Sequence, residues 1–554
     1  MKKSFLLLLA GTLALRLFIA VVLVFTGDEA YYYFWGLHPA FAYYDHPAMV
    51  GWLLAPFAWV SNVEWWIRLP AVLLLVAVAW LTVQLAGPAG ERKAYLAGIA
   101  VMLVPSELLN ILTTTDTPLV LFALWSVAAY QRALAEMKRG GSVNRWHWIA
   151  GFLLGAAFFS KYFAVLLGLG YLTHAVVAPR RERAWPGLLA VVAASMPWVA
   201  MNVYGNYEHC WLNILFNLYN RNDNVFFSFK DIANFLFVVL YTTSPILLWQ
   251  LWRRRKPAHG GTQAAPADGG AGILADPEKR IVLFSCVVPL LVFAALSTVK
   301  VIGLHWVFAF SPLVFVLGAY LLDERELRVN GWYLGVLSAV HLTLVGIAWA
   351  LPLETWSRSH LYDGLVLTVR PLEVFDVLRP YRRDYVFATD GYSNSVTLSY
   401  QARRNAAWGP LTPTQADADD FIVFGPGSAH GRQQDVFDDF RQMAGRNILI
   451  FRKTAPPPAE YAPFFREVEY RSFNLHGVTY HLVLGRGFDY RTYRDVVLAK
   501  IRAKFYAVPA WLPTGDCFFD DRYFGGDKAG AALSPSAFAA VADAGAWSVA
   551  ATKK

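Results

Sequence analysis

Asp28 and Glu29 follow directly on the first hydrophobic run, and Tyr43-Tyr44-Asp45-His46-Pro47 comes soon after. Carboxylates at the mouth of a membrane helix are costly unless they face a cavity or a partner, so this pair points to chemistry at a membrane surface. Five further residues stand out: Asp116, Lys161, Lys300 and His305 beside apolar runs, and Arg221 in a polar outer loop. A carboxylate can take the proton of an attacking hydroxyl, and cations can neutralise a departing phosphate. Each residue also has a purely structural reading. Asp28 and Glu29 suit an interfacial helix cap, and Asp45-His46-Pro47 suits a turn. Asp116, within Thr113-Thr114-Thr115-Asp116-Thr117-Pro118, suits the start of a helix. Lys161 can snorkel to the interface, and Lys300 and His305 can anchor at headgroups. An exposed arginine such as Arg221 is ordinary, although guanidinium binds phosphate bidentately.

The elements that must position these groups are membrane helices. Of 554 residues, 56% are apolar, 16% aromatic and 16% charged, which excludes a soluble domain for the first two thirds of the chain. Runs long enough to cross about 30 Å of hydrocarbon lie near 4–26, 66–86, 94–111, 117–135, 186–203, 231–252, 281–299, 304–322 and 331–351. The stretch 147–178 is apolar apart from Lys161 and is bracketed by basic residues on both sides. It predicts a short hairpin with arms of roughly 15 residues, about 22 Å of helix, whose tip carries Lys161 inside the membrane region. The count of spans is then about 11. The first run, headed by Lys2-Lys3, lacks a cleavage site before Asp28 and is expected to be retained.

Lys and Arg set the expected orientation. Arg92, Lys93, the clusters at 138–145 and 180–183, Arg253 to Lys256, Lys279, Arg280, Arg325 and Arg328 fall on one side, whereas 27–65 and 105–118 contain neither residue type. The positive-inside rule places the first group in the cytoplasm and Asp28, Asp45 and Asp116 outside. Eleven spans leave the tail after about 355 outside as well. The net charge of +9 is this topological signal, with basic patches meeting anionic headgroups, and it implies no nucleic acid. A second loop near 204–230 is expected to pack over the first. Segment 257–278 reads as a flexible linker, and Pro47 to Val60 as an interfacial stretch.

The tail carries strand-like runs at 385–388, 421–424, 447–451 and 478–484 with helical patterns between them, which predicts a mixed α/β domain. The expected divisions are 1–352 for the transmembrane catalytic part, 353–527 for the α/β domain, and 528–554 for a poorly ordered Ala-rich tail. Cys210, Cys286 and Cys517 have no metal-ligand spacing and no disulfide framework. Cys210 and Cys517 share the outer side and could pair, but reduced thiols are the favoured expectation.

In chain order, Asp28-Glu29, Tyr44-Asp45-His46-Pro47, Thr115-Asp116-Thr117-Pro118, Ser160-Lys161-Tyr162 and Gly303-Leu304-His305-Trp306 resemble bacterial members of the protein mannosyltransferase-like group, which includes the lipid A aminoarabinose transferase. The resemblance covers about residues 1–350. It implies a GT-C fold, a polyprenyl-phosphate-linked sugar donor, inversion at the anomeric carbon and an extracytoplasmic site in a bacterial inner membrane. It implies Asp28 as the base with Glu29 in support, Asp45 as a second acidic position, and Lys161 with Arg221 at the carrier phosphate. His46 stands where the aminoarabinose transferase has a lysine, which makes phosphate contact there pH-dependent.

The expected activity is therefore an inverting glycosyl transfer to lipid A, an envelope glycan, a lipid or a protein. Asp116 supports the catalytic carboxylates; His46, Lys300 and His305 join Lys161 and Arg221 as phosphate ligands. No cofactor and no metal are expected. The alternative is a transporter or flippase of the lipid-linked sugar, against which stand the absence of inverted halves and the one-sided grouping of charge. A binding scaffold is the third reading, and it would tolerate loss of Asp28.

Overall fold

The computed structural model describes residues 1–140, 142–182, 184–220, 226–254, 271–405, 408, 421–425, 431–457, 459–513 and 517–525. Arg221, most of the 257–278 linker and the 528–554 tail lie outside the described residues.

The membrane half is a helical bundle. Six described helices are long and apolar enough to cross a bilayer: Lys2–Val22, Glu64–Ala89, Asp116–Lys138, Ala184–Glu208, Pro277–Leu296 and Glu324–Ala350. The single span expected at 231–252 is two helices, Phe229–Thr242 and Pro245–Arg253, bent by 94°. Ser244 caps the second by accepting from Leu247 N, and Pro245 occupies its first position. Proline cannot supply the amide hydrogen that a continuous helix needs there. The run expected at 94–111 divides at Val104-Pro105 for the same reason, into Glu91–Met102 and Pro105–Leu109. The run at 304–322 becomes a tight 3₁₀ turn, Leu304–Val307, followed by Ser311–Leu321. The eleven apolar segments are thus all helical, but only six, or seven with the bent pair, are long enough to span. The hairpin has arms Arg145–Phe158 and Ala164–Val177, 14 residues each, with Lys161 in the turn between them.

From Leu353 onward the chain builds a five-stranded sheet of order β2-β1-β3-β5-β4. The strands are β1 Val386–Thr389, β2 Ile422–Val423, β3 Ile448–Arg452, β4 Phe465–Leu475 and β5 Val478–Phe488. β1 pairs in parallel with β2 and β3, while β5 runs antiparallel to β3 and β4. β3 reads Ile-Leu-Ile-Phe with all four residues buried, as expected of a strand covered on both faces.

Two hydrophobic clusters cross from this domain into the membrane half. One joins Tyr44, Cys210 and Leu212 to Phe440, Phe465, Phe488 and Tyr493. The other joins Tyr31, Phe34, Trp35 and Tyr43 to Val396 and Tyr400 of the Tyr392–Arg404 helix. Gly27 permits the second contact: a Cβ there would meet Ser393 Oγ at 2.9 Å. The second loop packs on the first as expected, with Asn213 Nδ2 donating to Tyr44 O at 3.3 Å and Asn217 Nδ2 to Asp45 O at 3.2 Å.

The reduced thiols favoured by the sequence are corrected. Cys210 and Cys517 form a disulfide across 307 residues, with Cα atoms 4.6 Å apart. Tertiary packing of the C-terminal domain creates this proximity, which residue spacing does not encode. Cys286 is free and buried.

Candidate active site

Thr26, Asp28 and Glu29 open the Gly27–Leu37 helix. Thr26 Oγ1 accepts from Glu29 N, and Glu29 Oε2 accepts from Thr26 N at 3.0 Å, a reciprocal cap. Acidic residues in this first turn also suit the positive end of the helix dipole. The two neighbours then part company. Glu29 is 1% exposed and holds Arg68 through both oxygens, at 2.6 and 2.7 Å. Arg68, itself fully buried, also donates to the carbonyls of Ala20, Leu23 and Val24 and so closes the end of the first membrane helix. Both Glu29 oxygens thus hold a buried arginine, an anchoring contact that differs from the catalytic use expected of this residue. Asp28 projects to solvent, and among the described residues it has no hydrogen bond or ion pair. Protein packed around it raises its carboxyl above the usual range, an effect that Arg432 partly offsets.

Asp45 sits in a turn locked by its neighbours. Tyr43 stacks on Trp35 with ring centres 4.1 Å apart, and its hydroxyl donates to Trp35 O at 2.9 Å. Met49 N then donates to Phe159 O at 2.9 Å, which ties the loop to the hairpin tip. Asp45 is buried and accepts from Arg432 Nη1 at 3.1 Å. His46, beside it, is half-buried.

Asp116 is the first residue of its helix, but its side chain does not cap. Both oxygens accept from Lys161 Nζ, at 2.8 and 3.0 Å, in a buried pair. Lys161 therefore faces the protein interior and not the lipid. Its ammonium also lies 5.3 Å from the Phe163 ring, and the Trp306 ring is 4.4 Å from Phe163. The Gly303-Leu304-His305-Trp306 turn thus meets the hairpin tip through Trp306, while His305 is exposed and Lys300 half-buried.

Like Arg68, two further residues absent from the sequence reading join these pieces. Tyr32 has its ionisation opposed first by burial and then by the charges of Asp28, Asp45 and Asp116, with Thr115 acting the other way. The charges of all three carboxylates therefore act on one phenol. Alternation within Tyr31-Tyr32-Tyr33 carries no signal in sequence, since all three look like interface aromatics. Arg432 comes from the C-terminal domain, more than 380 residues beyond Asp45. Its guanidinium lies 4.1 Å from the Tyr392 ring and faces Asp45 and Asp28. Burial alone would lower its pKa, but Asp45 and the facing tyrosines outweigh that and raise it. No local pattern marks this arginine.

Electrostatically, Glu29–Arg68, Asp116–Lys161 and Asp45–Arg432 are three matched pairs. Of the four acidic residues here, Asp28 is the one without an ion pair among the described residues. No group of three or more metal-ligating side chains occurs among the described residues. A separate apolar groove of about 540 Å³ lies along the Ala184–Glu208 helix, lined by Met196, Val203, Tyr207, Trp211 and Pro513, and shares no residue with this cluster.

Residues 45–203 match the family described as dolichyl-phosphate-mannose-protein mannosyltransferase. No curated protein sequence matches the chain. Among solved structures, ArnT from Cupriavidus metallidurans in the apo state is similar at 13% identity and TM-score 0.52, covering 87% of this chain and 98% of that one. The archaeal oligosaccharyltransferase AglB from Archaeoglobus fulgidus, in complex with an inhibitory peptide and a dolichol-phosphate, gives 11% identity and TM-score 0.41, covering 81% and 69%.

Proposed function

We propose that this chain, a mannosyltransferase-like membrane protein of the GT-C fold, transfers a sugar from a polyprenyl-phosphate carrier to a hydroxyl acceptor, with inversion. The acceptor hydroxyl approaches Asp28, which takes its proton. The oxygen forms a bond to the anomeric carbon, the carbon–phosphate oxygen bond breaks, and its electron pair leaves on the polyprenyl phosphate. Lys161, Lys300, His46 and His305 with Arg221 supply positive charge near the leaving phosphate. Asp116 holds Lys161 in place, and Asp45 holds Arg432. Phosphate is already a fair leaving group, so orientation and charge stabilisation supply most of the acceleration.

The observation that carries this reading is the state of Asp28: a carboxylate without an ion pair among the described residues, its proton affinity raised by its surroundings, beside three neutralised pairs. A raised pKa brings a carboxylate closer to the range useful to a general base. The acceptor belongs to the cell envelope: lipid A, a glycan, a lipid or a protein. The absence of Lys and Arg from 27–65 and 105–118 supports an extracytoplasmic site in a bacterial inner membrane.

The test is Asp28→Asn, which keeps shape and removes the base. With purified protein, lipid-linked donor and envelope extract as acceptor, turnover should fall by about 10²–10⁴-fold while carrier binding is kept. Near-normal turnover would defeat the assignment of the base. Mass spectrometry of envelope glycans and lipids with and without the protein identifies the sugar and the acceptor.

A further inference from the structure

We propose that Arg432 is a carrier-phosphate ligand supplied by the C-terminal domain, and that the Cys210–Cys517 disulfide fixes its position through the Phe518–Phe524 helix. The inference rests on the lipid-linked donor reading above. Arg432 combines three features of an anion-recognition residue. Its guanidinium presents a planar fork of donors suited to phosphate. It reaches Asp45 at 3.1 Å and acts electrostatically on Asp28, the proposed base. Its side chain is still 32% exposed.

The backbone of Arg432 has φ +54°. A non-glycine residue in this left-handed region persists where its surroundings over-determine it. Here they do. Asp435 accepts from Gly431 N at 2.7 Å and from the Tyr506 hydroxyl at 2.9 Å. On the following residue, Gln433 N donates to the Tyr31 hydroxyl at 3.2 Å, and Gln433 Oε1 accepts from Tyr44 N at 2.9 Å. The last clamp comes from Arg522. Its guanidinium donates to the carbonyls of Asp435, Val436 and Asp438 at 3.0, 3.0 and 2.6 Å.

Arg522 belongs to the Phe518–Phe524 helix, whose N-cap is Cys517. Cys517 is bonded to Cys210, just beyond the Ala184–Glu208 membrane helix. Trp211 Nε1 adds a bond to Pro513 O at 2.8 Å. A continuous path therefore runs from a membrane helix through the disulfide, a short helix and Arg522 to the loop that aims Arg432. Arg432 touches the substrate in this scheme; Arg522 and the disulfide are positioning elements that act through it.

The test is a double-mutant cycle on full-length protein in detergent, read as binding of undecaprenyl phosphate by tryptophan fluorescence. Arg432→Ala should weaken binding about tenfold or more, and Arg432→Lys should recover part of the loss. Replacing both cysteines by serine should weaken binding about fivefold in the parent chain but less than about twofold with Arg432→Ala present, because the same contact is already gone. If the serine pair is not recovered folded, Arg522→Gln takes its place in the cycle with the same expectation. Parent-like binding by Arg432→Ala, or an equal loss on both backgrounds, overturns the inference. Failure of the parent chain to bind undecaprenyl phosphate removes the donor reading, and this inference with it.

Discussion

Glu29→Gln separates anchoring from chemistry at the Asp28-Glu29 pair. Glutamine keeps the volume and the oxygen that accepts from Thr26 N, so the reciprocal cap is largely retained. What is lost is the negative charge facing Arg68, held at 2.6 and 2.7 Å where neither side chain is more than 1% exposed. Removing one partner of a buried pair costs about 3–5 kcal/mol, because the other charge is left uncompensated. Arg68 keeps its bonds to the carbonyls of Ala20, Leu23 and Val24. The expected cost is therefore at the lower end, about 3 kcal/mol, or more than about a hundredfold in the folded-to-unfolded ratio. Equilibrium unfolding in mixed dodecylmaltoside and SDS micelles measures it, with Asp28→Asn as the partner experiment. That variant should stay within about 0.5 kcal/mol of the parent, since Asp28 is exposed and unpaired among the described residues. A Glu29→Gln protein of parent stability that has lost transfer would refute the anchoring argument and return Glu29 to the chemistry.

Three further outcomes are expected. Lys161→Met should destabilise by about 3–5 kcal/mol because it strands buried Asp116; adding Asp116→Asn should recover part of that loss in the same micelle assay, and simple additivity would show that the pair is not coupled. His476 bridges Glu373 and Glu354 at 3.1 and 3.2 Å, and hydrogen bonding to Glu373, ahead of Glu354, raises its pKa above the usual histidine value despite some desolvation. Its contribution is full below about pH 6.5 and is lost as pH rises through the raised folded value, so thermal melts of parent and His476→Asn should differ at about pH 6 and converge by about pH 9; a constant difference would refute the linkage. Reporter fusions after Asp45 and after Ala388 should both signal an extracytoplasmic location, and cytoplasmic activity at either would overturn the orientation.

Much of the helical framework was legible because membrane helices announce themselves locally. A run of apolar side chains must cover its own backbone in hydrocarbon, so the runs near Lys2–Val22 and Glu324–Ala350 are readable without any partner. The hairpin was readable for a related reason, since basic residues on both flanks and short arms force a return to the same side. The breaks were less so: Pro105 and Pro245 interrupt runs whose mean hydropathy is still high. The β-strands of the tail showed as short apolar runs, but their order β2-β1-β3-β5-β4 did not, because it depends on pairings far apart in the chain.

The sequence by itself determined a multi-pass membrane protein and most of its charged residues of interest, though not Arg68 or Arg432, because an ion among apolar side chains is conspicuous by its cost. Only the tertiary structure decided what each ion does. Asp28 and Glu29 are adjacent and chemically alike, yet Arg68 claims one and leaves the other open. Lys161 has an ion partner, Asp116, that lies 45 residues away. Arg432 and the Cys210–Cys517 bond belong to a fold contact between distant segments. Pairing depends on distances of a few ångströms, and those are set by packing, to which local residue patterns are blind.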